Sequence, residues 1–117
     1  MPFWKRKAQE IRVPKVRFLG EQDGPSERTL KDKLTEFFRD ENSVAKAYLV
    51  RADLGDEQGI SVVLALVAEP RFEPHLVRGV GAIFGTQFNS KAHLDVMFLS
   101  QGQQSELEES CQAFFVA

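Results

Sequence analysis

Two imidazoles, His75 and His93, and one thiol, Cys111, are the side chains of this sequence best suited to hold a metal or attack a substrate. Their spacing serves neither purpose. Each lies more than a helical turn from the others, and no pair has the short interval that zinc sites use. A lone cysteine has no internal disulfide partner and reads as a small buried apolar residue. Ser26, Ser43, Ser61, Ser90, Ser100, Ser105 and Ser110 include none flanked as Gly-x-Ser-x-Gly, so no nucleophile elbow is present. The run Gly79-Val80-Gly81-Ala82-Ile83-Phe84-Gly85 approximates a dinucleotide fingerprint. Its third glycine falls one position late, however, and the stretch sits inside a helical pattern rather than between strand and helix. Asp53, Asp56 and Glu57 cluster without the spacing or terminal glutamate of a calcium loop, and read as a solvated acidic turn. The sequence therefore assigns no catalytic, cofactor-binding or metal-ligating residue.

The elements that would position any site follow from periodicity. Lys15 to Leu19 alternates and ends in the turn-rich Gly20 to Ser26, as a short edge strand does. Leu30, Leu34, Phe37 and Phe38 fall at i, i+4, i+7 and i+8, one stripe of a helix that starts at Pro25-Ser26. Val44 to Ala52 reads as a strand with Tyr48 and Val50 on one face and Ala47 and Leu49 on the other. Ile60 to Val67 is almost continuously apolar, as a strand covered on both faces is, and the two should form a hairpin. Pro74 suits the first turn of a second helix running to about Phe88, with Phe72, Leu76, Val80 and Phe84 four apart. Leu94 to Leu99 reads as a strand, Gln104 to Cys111 as a short helix, and Ala113 to Val116 as an extended ending. The order β-α-β-β-α-β-α predicts an α+β two-layer sandwich, a mixed sheet of about four strands packed by two main helices.

Length and composition fit one domain. The 117 residues are 43% hydrophobic and 27% charged, which suits a folded core rather than a disordered chain. The longest apolar run, Ile60 to Ala68, is far shorter than the roughly 20 residues a bilayer span needs, so an integral membrane protein is not expected. Lys5, Arg6 and Lys7 lead into Gln9, Glu10 and Arg12 instead of an apolar stretch, which points away from a secretory signal and towards the cytoplasm. The net charge of −2 hides an asymmetry: six basic residues face only Glu10 within the first 17, leaving −7 for the rest. Residues 1–14 therefore read as a solvated basic arm and 15–117 as the domain. Such an arm, with Phe3 and Trp4 beside its lysines, could also meet nucleic acid or anionic lipid.

From Ser26 onward the chain resembles the C-terminal domain of the enhanced serine sensitivity protein SseB family. The residues that carry the resemblance are Leu30 to Phe38, the strand Val44-Ala45-Lys46-Ala47-Tyr48-Leu49, the apolar Ile60 to Val67, Leu94-Asp95-Val96-Met97-Phe98-Leu99, and the ending Gln104 to Cys111 with Ala113-Phe114-Phe115. These are packing patterns, and the ending differs from the Pro-Phe-Tyr usual in that family. The resemblance implies a helix-and-strand module without assigned catalytic residues. It also implies a larger N-terminal domain, which is not expected within these 117 residues.

Two readings of function follow. The first is a non-catalytic module that binds a protein partner or itself, because ten phenylalanines are many for one small core to hide. The candidate surface is Phe84, Phe88, Gly81 and Gly85, the two glycines allowing a close approach by another element. The second is a small-ligand regulator or enzyme with a cleft near Tyr48, His93 and Asp95.

Overall fold

The computed structural model describes residues 8–11, 16–55, 59–69, 74–88, 92 and 94–117. Their order is β1 (Ala8–Ile11), β2 (Arg17–Glu21), α1 (Pro25–Asp40), β3 (Val44–Asp53), β4 (Ile60–Ala68), α2 (Pro74–Gln87), β5 (Leu94–Phe98), α3 (Gln101–Leu107) and β6 (Phe115–Val116). Pro25 and Pro74 each open a helix, where the missing N–H and fixed φ are tolerated. The fold is α+β, as the periodicity predicts, and β1 adds a strand within the basic arm. Phe72 and the basic residues before Ala8 lie outside the described residues.

One six-stranded sheet runs β1-β5-β4-β3-β2, with β6 also pairing with β3. Strands β3 and β4 form the expected antiparallel hairpin, from Val44 opposite Ala68 to Asp53 opposite Ile60. Two parallel strands need a crossover, and α2 supplies it between β4 and β5. Strand β4 is thus central, and Val63, Leu64, Ala65 and Leu66 are all fully buried.

Side-chain parity divides the core in two. Ala47, Leu49, Leu64, Leu66, Val96 and Phe98 face α1 and α2, meeting Leu30, Leu34, Phe38, Leu76, Val80 and Phe84. Tyr48, Val50, Val63, Ala65 and Met97 face the other way and are covered by Leu107 of α3 and by Cys111. The continuous apolar character of β4 thus reflects cover on both sides. The last helix departs from the sequence reading, starting at Gln101 and leaving Cys111 beyond its end. Ser100 sets that start with a capping box: its Oγ accepts the Gln103 N–H at 3.2 Å, and Gln103 Oε1 accepts the Ser100 N–H at 2.9 Å.

Helix α2 approaches α1 closely at Gly79, where any added Cβ would overlap the ring of Phe37. Gly81 is half-buried and Gly85 exposed on the same helix. Gly79→Val is expected to lower the unfolding free energy by about 1–3 kcal/mol through overpacking, measured by urea denaturation. In a Phe37→Ala background most of that penalty should vanish. An equal loss in both backgrounds would show that the ring is not the obstacle.

Candidate functional site

The polar residues singled out on the sheet are engaged in the fold. Tyr48 is fully buried on β3, and its hydroxyl donates a hydrogen bond to Glu108 just past α3. Lys46 Nζ donates to the same Glu108 oxygen at 3.3 Å and Gln104 Nε2 at 3.5 Å. Burial, reinforced by the Glu108 carboxylate, pushes the Tyr48 phenol well above its ordinary range. The same contact, with Lys46, lowers the Glu108 pKa. This knot ties α3 to the sheet. Asp95 is buried on β5 and accepts a hydrogen bond from Ser61 Oγ at 2.6 Å. The register runs Tyr48 to Ala65 to Met97, so Asp95 lies two strands across and two residues along, about 10 Å away laterally. The two share a face of the sheet, and His93, the third residue of the expected cleft, lies outside the described residues.

On the helical side, Phe84 is buried and stacks on half-buried Phe88 with ring centroids 4.5 Å apart. No phenylalanine among the described residues is exposed. The exposed large apolar side chains among them are Ile60 and Val116, at 65% and 63%. Asp53 accepts the Gly55 N–H at 3.0 Å and pairs with Arg17 at 3.5 Å, closing the turn, while Asp56 and Glu57 lie outside the described residues. No group of three residues capable of ligating a metal occurs among the described residues.

Sequence periodicity does not reveal two further features. Lys31 of α1 is buried and bonded to Glu21 at 2.9 Å and Asp23 at 3.2 Å, and Arg28 holds Asp23 from outside at 3.2 Å. This network clips the chain before α1 onto the helix. Close to it, burial and the Glu21 charge push the Cys111 thiol up to about 11. The cysteine is free and buried as expected, and poorly suited to nucleophilic work near neutral pH.

The second feature is an open cleft of about 470 Å³ between the end of α1, the α1–β3 turn and β6. Its floor is aromatic. Phe38 packs against Phe115 at 5.6 Å and Phe114 at 6.5 Å between ring centroids. Thr35, Arg39, Glu41 and Val116 contribute to the walls. Helix α1 ends here because Glu41 turns extended, its N–H bonding back to Phe38 O. Strand β6 is held by Phe114 N–H to Ala47 O at 2.9 Å and Ala117 N–H to Ala45 O at 2.8 Å. With Val116 opposite Lys46, that last bond makes 45 and 117 the hydrogen-bonded pair. In an antiparallel ladder the next pair alternates, so the Val116 N–H and C=O point outward from the sheet. No strand among the described residues pairs with that outer edge.

Charge in the cleft is uneven. Glu41 meets His75 Nε2 at 2.9 Å, whereas Arg39, in the last turn of α1, has no ion-pair partner among the described residues. The arrangement therefore combines a guanidinium, an aromatic floor and a free strand edge, which are means of binding. Comparisons with protein-family models, with curated proteins and with solved structures find no match.

Proposed function

We propose that this chain is a non-catalytic interaction module of the SseB C-terminal type, acting in the cytoplasm, which binds an extended segment of a protein partner along β6. The observation that carries this reading is Val116, 63% exposed, with its backbone polar groups directed outward beside the Phe38 cleft. Pairing with such an edge gives affinity through main-chain hydrogen bonds, while adjoining pockets give selectivity. The segments carrying the SseB resemblance coincide with α1, β3, β4, β5 and the end of the chain, and a free buried Cys111 suits a reducing compartment. Because β6 offers one N–H and one C=O, affinities in the micromolar to millimolar range are expected. No helix among the described residues is long and apolar enough to cross a membrane.

Isotope-labelled protein titrated with acetylated, amidated heptapeptides drawn from Val, Ile, Thr and Phe tests the reading. The Val116 and Ala117 amides should shift together with those of Thr35 to Glu41. Shifts confined to the exposed side of α2, around Gly85, would replace β6 with the other candidate surface. Concentration-dependent shifts at β6 without peptide would make a second copy the occupant.

A further inference from the structure

We propose that the segment received by β6 carries a carboxylate side chain, which Arg39 binds in the cleft, one residue away from an apolar side chain lying against Val116. This rests on the edge reading above and names the chemistry of its occupant.

The placement follows from the pleat. A residue hydrogen-bonded to Val116 from outside would point its side chain to the same side of the sheet as Val116. That side is shared with Lys46, opposite Val116 in the ladder, and an apolar residue there would cover the exposed valine. Its two neighbours along the added strand point the other way, towards the face that carries α1, Phe38 and Arg39.

The charge follows from what Arg39 lacks. Its neighbours on α1, Glu36 and Asp40, are exposed, and neither comes within ion-pair distance of it. Glu41, the one acidic residue of the cleft wall, is already matched by His75. An incoming carboxylate thus meets a guanidinium that no Asp or Glu side chain among the described residues pairs with, beside an aromatic floor that partly excludes water. A guanidinium can grip a carboxylate through two parallel hydrogen bonds, which a lysine or amide side chain in the segment could not match. Arg39 is exposed and holds nothing in the fold, so its replacement leaves the scaffold in place.

Three peptide pools test this, with flanking positions drawn from Val, Ile, Thr and Phe and a central Asp, Asn or Lys. The readouts are the Val116 amide and the Arg39 Nε signals. The Asp pool is expected to bind about tenfold more tightly than the Asn pool, with the Lys pool weakest. In Arg39→Gln the Asp and Asn pools should become equal while the Val116 shift persists. Equal binding of all three pools to the unaltered protein would overturn the carboxylate inference and leave the edge reading standing. No Val116 shift with any pool would overturn both. If free succinate moved the Arg39 signal as strongly as the Asp pool while Val116 stayed still, the cleft would be a small-carboxylate site, and the peptide occupant would be wrong.

Discussion

Phe38→Ala is expected to cost about 3–5 kcal/mol of unfolding free energy, a large share of the roughly 5–15 kcal/mol that a domain of this kind possesses. Phe38 is 1% exposed and lies at the meeting point of α1 with the end of the chain, its ring against Phe37, Phe114 and Phe115. Truncation removes the transfer energy of a whole ring. It also leaves a void that α1 and β6, anchored elsewhere, can fill only partly. Urea denaturation measures the loss, with Phe38→Leu as the milder comparison. Hydrogen exchange gives a second readout, since the Phe114 and Ala117 amides that hold β6 should lose protection first. A cost below about 1 kcal/mol would mean that β6 is not seated on this ring.

The protein should also lose stability in alkali through its buried Cys111. An unfolded cysteine ionises near pH 8.5, while burial raises the folded Cys111 pKa to about 11. A group with a raised folded pKa contributes fully below its unfolded value and progressively less as pH rises through the folded one. The loss therefore begins near pH 8.5 and reaches about 3 kcal/mol by pH 11. Tyr48 has the same sign and adds to the loss above pH 10, because its buried phenol resists ionisation beside Glu108. Thermal or urea midpoints measured from pH 7 to 11 should fall along this course. In Cys111→Ala the part between pH 8.5 and 10 should flatten. An unchanged profile in that variant would assign the loss to other groups.

The elements that were legible in the sequence are those whose signal is internal to one segment. The stripe Leu30, Leu34 and Phe38, the parity of Tyr48 against Ala47 and Leu49, and the unbroken apolar run of β4 each state which face is buried. What was not legible depends on partners remote in the chain. Strand β1 has four residues and becomes a strand by pairing with Leu94 to Met97. Helix α3 has one buried residue, Leu107, so its apolar pattern is faint, and the Ser100 and Gln103 box was the better marker. Phe84 looked like a surface residue because composition counts phenylalanines without showing how many the core accepts. The cleft joins residues 35–44 to 114–117, which no local period connects. The sequence hinted at it in two places, with Phe37-Phe38 at the end of one helix and Phe114-Phe115 at the end of the chain. Tyr48 and Asp95, expected from the sequence to line a cleft, are polar groups set within apolar surroundings. Their partners, Glu108 and Ser61, show that each is satisfied within the fold.

The most direct measurement of the central claim is peptide binding by Val116→Pro. The Val116 N–H points outward and takes no part in the bonds to β3, proline is tolerated on an edge strand, and Phe115 before it is already extended. Unfolding free energy should stay within about 1 kcal/mol of the unaltered protein, with the Ala117 amide still protected, because no bond within the fold is lost. Binding of the Val, Ile, Thr and Phe heptapeptides should fall at least about tenfold, since the one outward donor is gone. If the folded proline variant bound these peptides as tightly as the unaltered protein, the outer edge of β6 would not be the binding surface.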